Sequence, residues 1–516
     1  MKISNIILVL MGVTLLTSCE SQVPPNVVNY WPKAGITYEI FVQSFFDTNG
    51  DGIGDLNGVT QKLDYVSDLG ANAIWLMPIM PSPSYHKYDV TDYKAIHPDY
   101  GTLEDFKNLL EEAHKRDLKV VIDLIINHTS SEHPWFLESK KGRDNPYRDY
   151  YVWAQKDTIA DFIEKKKVTL DSDNIRQWHD PGDGEDFYYG FFYGGMPDLN
   201  FDNEQVRKEI FEIGKFWLEE IGVDGFRLDA AKHIYPDERA KDNHEFWKEF
   251  RSEMTKINPD LYLVGEVYDQ KEVVAPFLPG LPALFNFDFH YTLIESLNKE
   301  DGKLLVDKEK SVLDYYERIT SDFIDATISS NHDQPRLLNE LKSDQAKYKQ
   351  AIAILMSMPG APYLYYGEEI GMLGLKPDEH IREPFLWERQ AEDKGRATWI
   401  KPIYSTDSTV TPLAIQMKDE SSYFHHYQEL IHLRNSTPAL AIGSLEKSTE
   451  NYPKSIMAFN RVLGDQNLMV IHNVGKKPVQ LPIPSDFQTV VYELGSVKWK
   501  GNELSLGKNA SVVLSK

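Results

Sequence analysis

Residues 118–128 read LKVVIDLIINH, an apolar run broken only by Lys119 and Asp123 that closes on Asn127 and His128. A strand covered on both faces has this composition, because neither face can carry polar side chains into the core. The stretch before it, TLEDFKNLLEEAHKRD (102–117), spaces its apolar residues for a helix. Thr102 suits the N-cap, with acids following in the first turn. The same helix-then-strand order appears further upstream. NGVTQKLDYVSDLG (57–70) leads into ANAIWLMP (71–78), and TYEIFVQSF (37–45) stands before both.

Downstream, residues 129–202 are rich in Tyr, Asp, Gly and Pro and show little helical pattern. The alternation resumes with the helix NEQVRKEIFEIGKFWLEEIG (203–222) and the strand VDGFRLDAA (223–231). Strands LYLVGEV (261–267), ALFNFDF (283–289), DATISSN (325–331) and APYLYYGEE (361–369) follow. Helices are expected near 239–256, 307–321, 344–357 and 421–435. Eight such units predict an α/β fold, a (β/α)8 TIM barrel over 34–128 and 203–438. An inserted domain B (129–202) follows its third strand. A doubly wound open sheet is the alternative, but no Gly-rich phosphate loop follows the first strand. From 439 to 516, short strands (SIMAFNRVL, NLMVIHNV, VQLPIP, TVVYEL, ASVVLS) predict a C-terminal antiparallel β-sandwich.

The chain of 516 residues carries a net charge of −24, so its field disfavours nucleic acid and phosphate-rich substrates and points to a neutral one. Its one cysteine, Cys19, excludes an intrachain disulfide and a multi-Cys zinc site. Ile6 to Leu16 is apolar, too short to span a bilayer but suited to a signal peptide. Leu16-Thr17-Ser18-Cys19 resembles the bacterial lipoprotein cleavage box. Residues 1–18 are thus expected to be removed, Cys19 lipidated, and 19–33 to form a linker. The expected place is a bacterial membrane, the outer one on its periplasmic or cell-surface side.

In a barrel of this kind, catalytic groups gather at the C-terminal strand ends. Strand three closes on Asp123, Asn127 and His128, strand four on Arg227 and Asp229, strand five on Glu266, and strand seven on Asn331, His332 and Asp333. Any one of these acids reads equally well as a helix N-cap. Asp229, Glu266 and Asp333 together at one mouth serve no folding purpose, because clustered like charges repel and resist desolvation. They suit glycoside hydrolysis with retention, in which one carboxylate attacks the acetal carbon and another gives and then takes a proton. An adjacent Arg keeps the attacking group ionised, and like charges raise the acid's pKa. No Ser-His-Asp motif is apparent, so acyl transfer has little support.

DLIINH (123–128), GFRLDAAKH (225–233), GEV (265–267) and SNHDQPR (330–336) closely resemble the four sequence blocks of the α-amylase family, glycoside hydrolase family 13, in family order. MPDLN (196–200) resembles the fifth block, and YHKYDVTDY (85–93) the block after strand two. The resemblance covers about residues 35–516. It implies Asp229 as nucleophile, Glu266 as acid/base and Asp333 as stabiliser of the oxocarbenium-like sugar. Arg227 would orient Asp229, His128 and His332 would bind hydroxyls, and Tyr88 would stack on the sugar. Lys232 and His233 would reach the leaving side. In exo-acting relatives an Asp matching Asp89 grips the terminal sugar.

DTNGDGIGD (47–55) presents oxygen at every other residue, from Asp47, Asn49, Asp51, the Ile53 carbonyl and Asp55. That is the ligand pattern of a Ca2+ loop, and its place after strand one matches one in the family. A second family calcium site would use Asn127, Asp198 and the His233 carbonyl.

The expected activity is endo-acting cleavage of α-1,4 bonds in starch or maltooligosaccharides. Ala230-Ala231-Lys232-His233 after Asp229 resembles α-amylases rather than α-1,6 glucosidases. MPDLN and Tyr88-Asp89 resemble the intermediate branch shared with neopullulanases and oligo-1,6-glucosidases, which keeps those activities as an alternative. A non-catalytic glycan-binding barrel is a remote alternative, since all three carboxylates are present. The expected partners are the glucan itself, the membrane through the lipid and outer-membrane glycan-uptake proteins, with the enzyme a monomer.

Overall fold

The computed structural model describes residues 28–163 and 177–516. The signal segment and Cys19 lie outside the described residues, as do parts of the linker and of domain B. Eight parallel strands close a barrel: Thr37–Ile40, Ala73–Leu76, Lys119–Leu124, Gly225–Leu228, Tyr262–Gly265, Ala283–Asn286, Ile324–Ile328 and Ala361–Tyr365. Each pairs with the next in sequence. The first closes the ring on the eighth, with Thr37 opposite Tyr363.

Strand alternation divides the apolar residues between two cores. Trp75, Val121, Tyr262, Val264, Phe285, Ala326 and Tyr363 point inward and fill the barrel. Their neighbours Ile74, Leu76, Val120, Ile122, Leu263, Leu284 and Leu364 point outward against the helices. Glu39, Asp123 and Arg227 occupy the inward phase one step nearer the C-terminal ends. The barrel therefore ends in a layer of buried charge resting on Trp75, with the Arg227 guanidinium 5.2 Å from its ring. The helix Leu103–Lys115 starts with the expected Thr102 cap, which Asp105 completes as a capping box.

All eight strands end earlier than expected, and two of them give way to α-helix. The first strand stops at Ile40, and Val42–Phe45 form a short helical turn. The sixth stops at Asn286, because the Asn286 side chain accepts from the Phe289 N–H and so starts the helix Phe287–Lys299. Between the third and fourth strands, domain B contains a small sheet (Trp153–Gln155, Trp178–His179, Asp186–Tyr189) and two helices, Pro134–Ser139 and Lys156–Ile163, that the sequence pattern did not reveal.

The C-terminal region is a sandwich. One sheet has five strands, and the other has three: Val479–Pro482, Glu503–Leu506 and Val497–Lys500. Ile456, Met469 and Ile471 of the first sheet pack on Leu481, Leu504 and Leu506 of the second. The alternate residues Met457, Phe459 and Val470 join the barrel's helix layer. Among the described residues, no helix is long and apolar enough to cross a membrane.

Candidate active site

Asp229 directly follows the fourth strand and Glu266 the fifth. The ladder runs on past both ends and pins Glu266 on two sides. Its N–H donates to the Leu228 carbonyl (3.0 Å), and its carbonyl accepts from the Ala231 N–H (3.1 Å). Ala230 between them has φ +47°, a left-handed conformation that costs an alanine ~1 kcal/mol or more. That turn lets the Ala230 N–H reach the Glu266 carboxylate (3.3 Å).

Arg227 ties the cluster together. One terminal nitrogen donates to Asp229 Oδ1 at 2.7 Å and to Asp123 at 2.9 Å, and the other donates to Glu266 Oε2 at 2.7 Å. Tyr88 donates to Asp123 at 3.1 Å, and its hydroxyl lies 2.7 Å from His332 Nε2. The Tyr88 and His332 rings are nearly parallel, with centroids 5.6 Å apart. His332 Nδ1 meets buried Glu39 at 2.5 Å, and its Nε2 lies 3.1 Å from Asp333. Arg382, from the long segment after the eighth strand, donates to Asp333 (2.7 Å) and to the His332 carbonyl (3.0 Å).

The charge balance sets the protonation states. Burial pushes Glu266 up, and Asp229 and Asp333 add to this against the pull of Arg227. Burial lifts Asp229 to about 6, opposed by Arg227, which leaves it ionised at neutral pH. Burial also lifts Asp123 to about 6. Burial disfavours charge on His332, but Asp333 and Glu39 outweigh it and hold the imidazole up at about 9. Burial likewise opposes charge on Asp333, yet His332 and Arg382 hold it well below the usual carboxylate range. Both carboxylates on Arg227 are thus raised from their ordinary values, and acetal cleavage needs one of them ionised and the other protonated.

The remaining expected residues surround this centre. His128 Nε2 is 3.1 Å from the Tyr88 carbonyl. Lys232 pairs with Asp269 at 2.9 Å, and the His233 ring stacks on Phe191 of domain B at 4.1 Å. Asp89 is buried and accepts from the Ser82, Ser84 and Tyr193 hydroxyls. Sequence reasoning assigned no role to Asp123 and missed Glu39 and Arg382. Glu39 was legible as an acid on the inward phase of a barrel strand, whereas Arg382 lies in irregular chain without a periodic signal.

In the 47–55 loop, Asp47 accepts from the backbone N–H groups of Asn49, Gly50 and Gly52. Asn49 accepts from Asp51, and Asp51 from Ile53. Gly50 and Gly52 take φ +83° and +92°, which lets the chain wrap around its own oxygens. The all-oxygen donor set fits a hard cation. Asp55, however, caps the helix Leu56–Gln61, and no group of three His, Cys, Asp or Glu among the described residues is arranged to hold a metal. Of the second expected set, Asn127 donates to buried Asp198 at 3.4 Å.

A closed (β/α)8 barrel with paired carboxylates on one arginine at its mouth defines a class, the barrel glycoside hydrolases. Comparison with known proteins narrows this further. Residues 39–443 match the family model "Alpha amylase, catalytic domain", and residues 456–513 match "Alpha-amylase SusG C-terminal domain". The chain belongs to the α-amylase family, glycoside hydrolase family 13. It is 40% identical to alpha-amylase 3 of Dictyoglomus thermophilum over 99% of this chain and 98% of that one. It is 32% identical to alpha-amylase SusG of Bacteroides thetaiotaomicron over 95% and 92% of the two chains. The crystal structure of an alpha-amylase from H. orenii superposes with a TM-score of 0.86 at 42% identity, covering 94% of this chain and 99% of that one.

Proposed function

We propose that this enzyme is a retaining, endo-acting α-amylase that hydrolyses α-1,4-glucosidic bonds in starch and maltooligosaccharides. The observation that carries the reading is the bridge from Asp229 to Glu266 through the two terminal nitrogens of Arg227, each at 2.7 Å. Asp229 attacks the anomeric carbon as Glu266 passes its proton to the departing glycosidic oxygen. The sugar is then bonded to Asp229. Glu266, now ionised, takes a proton from water, whose oxygen displaces Asp229 and restores the starting configuration. Asp333, kept ionised by His332 and Arg382, faces the positive charge that develops at the sugar. Tyr88 offers its ring to the sugar face, His128 and His332 bind hydroxyls, and Lys232 and His233 serve the leaving side.

Reducing ends released from soluble starch test the activity, and the products from amylose, pullulan and isomaltose test the bond. Cleavage of isomaltose in preference to amylose would replace this reading with an oligo-1,6-glucosidase-type one. Buried Asp89 beside Tyr88 and the MPDLN sequence of the intermediate, neopullulanase-like branch favour that second reading.

The 47–55 loop is proposed to hold Ca2+ through Asp47, Asn49, Asp51, the Ile53 carbonyl and Asp55. None of its three carboxylates has a cationic partner among the described residues, which supports this. The ion would steady the loop and take no part in the chemistry. Cys19 is proposed to carry the lipid that tethers a monomeric enzyme to the outer membrane, close to glycan-uptake proteins. A Cys19→Ser variant should then leave the membrane fraction or stay unprocessed.

A further inference from the structure

Asp89 is a buried carboxylate, 3% exposed, and among the described residues it forms no ion pair. Its side-chain partners among the described residues are all hydroxyls, the group that a sugar presents. Oδ1 accepts from Ser82 at 2.6 Å and from Ser84. Among the described residues, Oδ2 accepts from Tyr193 alone, at 3.4 Å. Asp89 directly follows Tyr88, whose hydroxyl meets Asp123 and His332, so the carboxylate lies beside the active-site cluster.

Tyr193 reaches it from domain B, and the chain is built to hold it there. The Gly194 carbonyl accepts from Tyr188 (2.7 Å), the Gly195 carbonyl from the Ser131 N–H (2.8 Å), and the Tyr193 carbonyl from the Met196 N–H (2.9 Å). The ring lies directly on Gly195, where a Cβ would come within 2.3 Å of it, so residue 195 cannot carry a side chain while the ring sits there. Tyr193 is nonetheless 42% exposed. The longest of the three hydroxyl bonds thus comes from the partner that solvent, or a sugar, reaches most easily.

We propose that Tyr193 is a positioning residue that sets chain-length selectivity by competing with a substrate hydroxyl for Asp89 Oδ2. This rests on the amylase reading above. In the free enzyme the phenol satisfies the buried oxygen, and a bound sugar must displace it. The bond gained is then offset by the bond lost, so a single sugar is gripped weakly. A long glucan, held along the whole cleft, is affected least. Removing the phenol leaves Oδ2 unsatisfied until a sugar arrives, which strengthens binding of short chains.

The test compares maltotriose with amylose in wild type, Tyr193→Phe and Tyr193→Ala. Both variants should lower KM for maltotriose by about tenfold, the worth of one hydrogen bond to a charged acceptor, with kcat nearly unchanged and amylose little affected. The effect should vanish when Asp89→Ala is added. Should that background not fold, the two single variants decide alone. An unchanged KM in Tyr193→Phe with a raised KM in Tyr193→Ala would mean that the ring stacks on substrate, and would overturn the proposal. A drop in KM that persists without Asp89 would overturn it too. A wild type inert on both substrates would bring down the amylase reading first and this inference with it.

Discussion

Arg227→Met removes the guanidinium that bonds to Asp123, Asp229 and Glu266. A unit charge about 4 Å away in a partly polar interior is worth about 4 kcal/mol, or about 3 pKa units. Asp229, already lifted to about 6 by burial, should move to about 9. Only about 1% would then be ionised at pH 7, which predicts a hundredfold fall in kcat/KM from protonation alone. The direction is distinctive. Below its pKa Asp229 carries the proton and cannot attack, so activity should rise about tenfold per pH unit from pH 7 to pH 9. Glu266 loses the same stabilising charge and is raised further, the direction that favours its protonated form. Arg227→Lys retains a charge but cannot bridge both carboxylates, so it should lose activity without moving the acid limb. The assay is reducing-end release from soluble starch between pH 5 and pH 10, with melting curves as the folding control. An Arg227→Met variant with the wild-type pH profile, merely scaled down, would refute the reasoning and leave Arg227 a purely geometric role.

Two further predictions concern stability. His332 is held near 9, against an ordinary 6.5, so its contribution is complete below pH 6.5 and is lost as pH rises through 9, about 3 kcal/mol in all. Glu39→Gln should remove more than half of that alkaline decline in melting temperature, and parallel curves for variant and wild type would contradict it. Chelation should lower the melting temperature of the wild type, because an ion bound only by the folded chain stabilises it by mass action. Asp51→Ala should abolish most of that response, and a wild type indifferent to chelator would refute a bound ion.

The barrel was legible because buried parallel strands leave continuous apolar runs. All eight expected strands exist, and the errors fall at their ends. ALFNFDF was read through to Phe289 because Phe287 and Phe289 are as apolar as a strand requires, yet the Asn286 cap turns them into a helix. The carboxylates were legible for another reason, since each stands directly after a strand or within a few residues of its end. The pairings that hold their charges were not, although Glu39 itself stands as an acid on the inward phase of a strand. Glu39 and His332 meet across 293 residues of sequence, and Arg382 arrives from a segment with no regular spacing. Such pairings depend on closure of the ring, which local pattern does not encode. Tyr193 escaped for the same reason, because its partner Asp89 lies across the junction between domain B and the barrel.

The central claim is that Asp229 becomes bonded to the sugar and that Glu266 serves it. Maltosyl fluoride tests this in a Glu266→Gln variant. Fluoride departs without a proton, so the first step proceeds, while the second stalls for want of a base to activate water. Digestion and mass analysis should find the added maltosyl mass on the peptide that contains Asp229. A label on any other peptide, or a variant that turns over maltosyl fluoride without accumulating one, would contradict the account.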